Sequence, residues 1–265
     1  MKKILLTFLF ILILISCEKE DLEIIGTTEN FSLTSTYVND EYKIYVYLPP
    51  TYGKTSSNDQ LIIGLDGDFN FNEIASIISE KTKNNTIEPS IYIGIGNSGA
   101  RNRDYTPTAF KHGTGGAKKF YNFIIKELIP EIASRYNIDS NNTKTLMGHS
   151  FGGLFTQYAM FQERATNPFD KFIAVGVSYW YDSGIIFEYE QEYADINTDL
   201  PITFFNGMGT LEGGVSLASF EEMNERLKSR NYGNFKIKHE WLKKKGHSES
   251  DYIGYKKGLD YVFSN

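Results

Sequence analysis

Thr145-Leu146-Met147-Gly148-His149-Ser150-Phe151-Gly152-Gly153-Leu154 is the stretch on which the fold turns. A short apolar run enters it, and Leu154, Tyr158 and Phe161 leave it at helical spacing. Between them lies G-x-S-x-G. A serine that leaves a strand and enters a helix within one residue needs strained backbone angles. Side chains two positions to either side would collide, so glycine stands at 148 and 152. Such a turn raises the Ser150 hydroxyl above the end of a sheet and points the first N–H of the helix, that of Phe151, at the same place.

Working outward, Phe31–Ser35 and Tyr42–Leu48 alternate as half-buried strands, and Pro49-Pro50 stops the second. Leu61–Leu65, Ile91–Ile95, Thr145–Met147, Phe172–Val177 and Ile202–Phe205 are short continuous apolar runs, typical of strands covered on both faces. Phe235–Leu242 alternates as a last strand. Phe120, Phe123, Ile124, Leu128 and Ile132 recur at helical spacing and predict one helix over 116–136, with further helices over 220–227 and 252–263. Strands alternating with helices imply an α/β fold with a mostly parallel, twisted sheet and helices on both faces. The sequence shows no internal repeat.

A serine hydroxyl needs a base, and the chain has four histidines. In a sheet with this turn the order is Ser, acid, His. His112 precedes the serine. His149 occupies the variable position of the turn, with a side chain expected to leave beside that of Ser150 and not toward it. His239 lies within the last strand. His247 follows that strand in a loop and is the expected base. The acid that orients it belongs on the loop after Ile202–Phe205, where Glu212 stands; Asp182 is the alternative. The second oxyanion donor is expected after Leu65, with Gly67 making the turn and Asp68 offering its N–H.

These pieces resemble the putative-esterase family of α/β-hydrolases. The likeness runs from about Phe31 to the C-terminus. It is carried by Leu65-Asp66-Gly67-Asp68, Gly94-Ile95-Gly96-Asn97, Arg101-Asn102-Arg103-Asp104-Tyr105-Thr106-Pro107, Gly115-Gly116-Ala117-Lys118-Lys119-Phe120, Gly148–Gly153 and Gly246-His247-Ser248. The branch it is most similar to includes ferric-siderophore esterases that cleave trilactones. The resemblance implies carboxylic-ester hydrolysis through an acyl-enzyme, without metal or cofactor. It also implies a place for Arg103 at the substrate mouth, where a guanidinium holds an anionic or oxygen-rich ligand; the alternative is a loop-bracing Arg103–Asp104 pair. The broad family also contains feruloyl and acetyl esterases of glycans. A lipoprotein that only captures a ligand is the reading from another class, against which an intact Ser150 and His247 argue.

Met1-Lys2-Lys3, the apolar run Ile4–Ile15 and Ser16-Cys17 have the layout of a secretory leader. Leu14-Ile15-Ser16-Cys17 resembles a lipobox, which implies cleavage after residue 16, a lipid on Cys17, a tether over 17–28 and a catalytic domain over 29–265. Lys19-Glu20-Asp21 resembles a surface-export signal. The expected location is therefore the cell envelope, with a lipid-anchored membrane partner. Cys17 is the single cysteine, so no intrachain disulfide forms. Losing Lys2 and Lys3 takes the formal net charge from −6 to −8, a balance that argues against a nucleic-acid partner. Cys17→Ala is expected to stay unprocessed or to leave the membrane; normal processing and membrane fractionation of this variant would remove the lipoprotein expectation.

Overall fold

A computed structural model of the chain describes residues 23–54, 59–97, 99–139 and 141–264. The leader, Cys17 and the first half of the expected tether, residues 17–22, lie outside these residues. Among them, no helix is long and apolar enough to cross a membrane.

In chain order the strands are β1 Thr27–Ser35, β2 Asp40–Leu48, β3 Gln60–Gly64, β4 Ser90–Ile95, the short pair β5 Ala109–Phe110 and β6 Gly113–Thr114, then β7 Lys144–His149, β8 Lys171–Val175, β9 Thr203–Gly209 and β10 Lys236–Leu242. Eight form one sheet in the order β1-β2-β4-β3-β7-β8-β9-β10. From β4 to β10 all pairs are parallel, whereas β1 and β2 join antiparallel at one edge. This is the mostly parallel sheet that the alternation of apolar runs predicts. The chain order reverses at the centre, β3 lying between β4 and β7. A crevice opens at such a reversal, beyond the carboxyl ends of the strands.

The helices are α1 Gly67–Lys83, the single turn α2 Arg101–Asp104, α3 Ala117–Phe123, α4 Ile129–Tyr136, α5 Phe151–Met160, α6 Ile185–Ile196, α7 Gly214–Ser229 and α8 Ser250–Val262. The helix expected over 116–136 is present but widens into a π-turn at Ile124–Leu128, between α3 and α4. Pro130 has no N–H to give the carbonyl four residues back, and the wider turn accommodates that loss. Every residue of α5 is buried, as befits a largely apolar helix, and its polar Thr156 and Gln157 are hydrogen-bonded to the Gly152 carbonyl and the Tyr179 hydroxyl.

The domain begins earlier than residue 29. β1 starts at Thr27, the Ile25 N–H donates to Ser79 Oγ at 2.8 Å, and its carbonyl accepts from the Tyr47 hydroxyl at 3.0 Å. Residues 25–28 are therefore part of the packed domain and not of a tether.

α8 lies directly on β8, and a Cβ at Gly254 would come within 2.6 and 2.7 Å of the two methyls of Val175. Val175 is fully buried and β-branched, so it has little room to yield. Gly254→Ala gains helix propensity worth about 1 kcal/mol, yet overpacking costs about 1–3 kcal/mol. The expected result is a lower urea midpoint with an unchanged slope; an unaltered or raised midpoint would show that this crossing tolerates a methyl group.

Candidate active site

β7 ends at His149 and α5 starts at Phe151, so Ser150 alone makes the turn, at φ 61° and ψ −120°. No side-chain-bearing residue adopts these angles freely, and the surrounding hydrogen bonds hold them. The Ser150 N–H donates to the Val175 carbonyl at 3.0 Å, and its own carbonyl accepts from the N–H groups of Leu154 at 3.0 Å and Ser178 at 3.3 Å. A Cβ at Gly148 would come within 2.4 Å of the Gly152 carbonyl oxygen, which requires glycine at 148, whereas a Cβ at Gly152 would meet only ordinary contacts of 3.4 Å and more.

His247 opens a short helical turn after β10 and leans over this elbow. Its Nε2 is 2.9 Å from Ser150 Oγ, and its Nδ1 is 2.9 Å from Glu212 Oε2. The imidazole is 44% exposed and the Glu212 side chain only 5%. Substrate can thus approach the ring while the carboxylate stays shielded from water. Glu212 follows β9, and its N–H is tied to the Gly209 carbonyl at 3.2 Å. Asp182 is engaged elsewhere: its Oδ2 accepts from Thr108 Oγ1 at 2.6 Å. Of the two acids considered from sequence, Glu212 is therefore the one against His247. The row carboxylate–imidazole–hydroxyl is arranged to take the Ser150 proton as that oxygen attacks an electrophile.

His149 leaves beside Ser150 and makes contacts of its own. Its ring packs against that of His247, with centroids 4.7 Å apart, and its Nε2 lies 2.9 Å from the His247 carbonyl. It donates there in the Nε2–H tautomer and so ties the base loop to the residue preceding the serine. Burial first, then the neighbouring His247, lowers its pKa and keeps it neutral. Gly176, at φ +54°, makes room: a Cβ there would come within 2.8 Å of His149 Nε2 and 3.1 Å of Glu212 Oε1.

Arg103 braces its own loop. Its guanidinium donates to both carboxylate oxygens of buried Asp104 at 2.7 and 3.2 Å, to Asp40 at 3.0 Å and to the Tyr42 hydroxyl at 3.1 Å. It is the loop brace that the sequence left as the alternative. Two residues along a helical turn point about 200° apart, and it is Arg101 that faces the elbow. Arg101 Nε and Nη2 hold Asp66 at 2.8 and 3.2 Å, and Nη2 also donates to the His149 carbonyl at 2.9 Å. The sequence offered two arginines in one motif, and only the helical turn distinguishes them.

Asp68 stands in the first turn of α1. Its carboxylate turns away from Ser150, accepting from the Tyr45 hydroxyl at 2.9 Å and the Asn97 N–H at 2.8 Å. A cleft of about 270 Å³ beside it is lined by Thr28, Tyr45, Asp68 and Phe69 and does not reach Ser150. Ser178, which sequence reasoning passed over, is 2% exposed and has its hydroxyl 3.3 Å from that of Ser150. Phe69, Trp180, Leu211 and Val215 are exposed on segments that follow the carboxyl ends of β3, β8 and β9, and the Trp180 ring lies 5.7 Å from that of Phe151.

Comparison with known proteins identifies a family and structures of the same fold. The signature of the family described as Putative esterase matches residues 35–177. Ferri-bacillibactin esterase BesA of Bacillus subtilis (strain 168) is 28% identical over 220 residues, covering 71% of this chain and 74% of that protein. The BES protein from Bacillus cereus superposes with a TM-score of 0.80 at 26% identity, over 92% of this chain and 97% of its own. An IroE-like serine hydrolase from Shewanella oneidensis shares the fold, with a TM-score of 0.83 at 24% identity over 89% and 80% of the two chains.

The shielded position of Glu212 has a measurable consequence. Glu212→Gln keeps the shape but removes the charge that favours the required His247 tautomer, and is expected to slow fluorophosphonate labelling of Ser150 by roughly 10²–10⁴. Asp182→Asn is expected to change it less than about threefold, since Asp182 holds only a loop hydroxyl. The opposite ranking, measured by labelling kinetics, would move the acid to Asp182.

Proposed function

As the chain belongs to the putative-esterase family, we propose that it is a serine hydrolase that cleaves a carboxylic ester of the siderophore type through an acyl-enzyme on Ser150. The observation that carries this reading is the 2.9 Å approach of His247 Nε2 to Ser150 Oγ, with Glu212 at 2.9 Å behind it. The substrate class rests on the likeness to the Bacillus subtilis ferri-bacillibactin esterase.

In the proposed mechanism Ser150 Oγ attacks the ester carbonyl while His247 Nε2 takes its proton. The carbonyl oxygen gains negative charge, which the N–H groups of Phe151 and Asp68 stabilise from the first turns of α5 and α1. His247 then gives its proton to the departing alcohol. Water enters, loses a proton to the same nitrogen and attacks the acyl carbon. The tetrahedral species collapses, Ser150 Oγ departs with its electron pair and His247 returns the proton to it. Glu212 keeps Nδ1–H pointed inward and offsets the imidazolium charge through both halves of the cycle. The apolar rim of Phe69, Trp180, Leu211 and Val215 suits a bulky acid with flat or branched parts. We further propose that Cys17 carries a lipid and holds this hydrolase at an envelope membrane.

Ser150→Ala is expected to remain folded by circular dichroism and to lose about four to six orders of magnitude in rate on a p-nitrophenyl ester. His247→Ala is expected to cost a similar amount, and the double variant little more. A folded Ser150→Ala within about tenfold of the parent, a barrier change of only ~1.4 kcal/mol, would remove Ser150 from its role. Run in parallel on a catecholate trilactone, a feruloyl ester and an acetylated glycan, the parent should favour the trilactone by kcat/KM. A preference for either glycan ester would shift the substrate class and leave the chemistry standing.

A further inference from the structure

The Ser150 oxygen has two neighbours, and counting protons separates their roles. His247 Nδ1 faces the Glu212 carboxylate at 2.9 Å, so that nitrogen bears the ring proton and Nε2 is bare. The Nε2 atom, 2.9 Å from Ser150 Oγ, must then accept, and the single Ser150 proton goes to it. The second contact on Oγ is the hydroxyl of Ser178 at 3.3 Å. With the Ser150 proton already committed, Ser178 is the donor.

The position of Ser178 is set by the main chain. Its N–H donates to the Ser150 carbonyl at 3.3 Å, its own carbonyl accepts from the Tyr181 N–H at 3.1 Å, and the residue is 2% exposed. The segment after β8 is thereby clamped to the elbow, and no rotation about a long side chain is needed to bring the two oxygens together. At 3.3 Å the contact is longer than the usual 2.7–2.8 Å between hydroxyls, as catalytic hydrogen bonds in unliganded sites often are. A negatively charged oxygen shortens and strengthens such a bond.

We infer that Ser178 is a further catalytic residue, whose hydroxyl donates to Ser150 Oγ and stabilises the charge on that oxygen as the acyl group leaves it. This rests on Ser150 being the nucleophile. The contribution differs between the two half-reactions. In the free enzyme the bond already exists to a hydroxyl oxygen, so acylation gains little from it. In the acyl-enzyme Oγ is an ester oxygen and a poor acceptor. When the second tetrahedral species collapses, the C–Oγ bond breaks, its electron pair returns to Oγ and His247 supplies the proton. Ser178 donates a hydrogen bond at that moment and transfers no proton. Only an interaction that is stronger in the transition state than before it speeds a step, so the gain falls mainly on deacylation.

The test is stopped-flow hydrolysis of p-nitrophenyl acetate by the full chain carrying Ser178→Ala, a change of one atom in a buried position. The expected deacylation constant falls about 10–100-fold, in keeping with a hydrogen bond to a charged group. The burst constant for acylation falls less than about threefold, and KM falls along with kcat. Ser178→Cys, a weaker donor of similar size, should lie between parent and Ala. A Ser178→Ala enzyme within twofold of the parent in both constants overturns the inference, as does an equal loss in both with KM unchanged or raised, which marks a displaced elbow. Failure of the underlying reading looks different: the parent itself shows no fluorophosphonate adduct on the peptide containing Ser150, and the role of Ser178 falls with it.

Discussion

The rest of the site depends on one strained residue held from three directions. Ser150 adopts angles that its side chain disfavours, and the cost, of order 1–3 kcal/mol, is offset by hydrogen bonds from both sides of the turn. Its N–H reaches β8, while its carbonyl is shared between α5 and the segment after β8. Arg101 grips the preceding carbonyl and is itself fixed by Asp66. Loosening any of these lets the turn relax, and the hydroxyl would leave the line defined by His247 and Glu212.

The sheet supplies the remaining geometry. Parallel strands deliver all their carboxyl ends to one edge, so β3, β7, β8, β9 and β10 each contribute one part. These are the turn into α1, the elbow, the Gly176–Ser178 segment, Glu212 and His247. The contributions are coupled sideways as well. His149 joins the elbow to the loop that carries His247, and Gly176 leaves the space that His149 Nε2 and Glu212 Oε1 border. Among the described residues, Glu212 Oε1 is buried without a hydrogen-bond partner. Its charge is thus directed at the imidazole with little competition from other donors.

Much of this was legible in the residues. Continuous apolar runs located the buried strands because a strand covered on both faces has no polar side to show. Chain order picked out Glu212 and His247 because the connections of a parallel sheet deliver loops in sequence. α1 was missed although Phe71, Ile74, Ala75 and Ile78 have helical spacing, since Phe69-Asn70-Phe71-Asn72 at its start alternates like a strand. α6 begins after Asp182 and Ser183, both in left-handed conformations, and its mixture of glutamates and tyrosines carries a weak stripe. Arg101 and Arg103 look alike in the sequence until a helical turn sets them on opposite sides. Ser178 left no signal because its contact with Ser150 spans two strands and exists only once they pair.

The exposed apolar side chains sit apart from this apparatus. Phe69, Trp180, Leu211 and Val215 crown segments at the sheet edge, and none of them contributes to the hydrogen bonds that hold Ser150, His247 or Glu212. On the proposed reading, recognition and chemistry are therefore separable in evolution. On that reading, substitutions at Phe69, Leu211 and Val215 alter which acyl groups fit while the strained turn beneath persists, whereas Trp180 also packs on the Phe151 ring. A lineage with this architecture can change its diet without re-inventing its catalyst, and a protein engineer can draw on the same independence by randomising the crown positions on an unaltered scaffold.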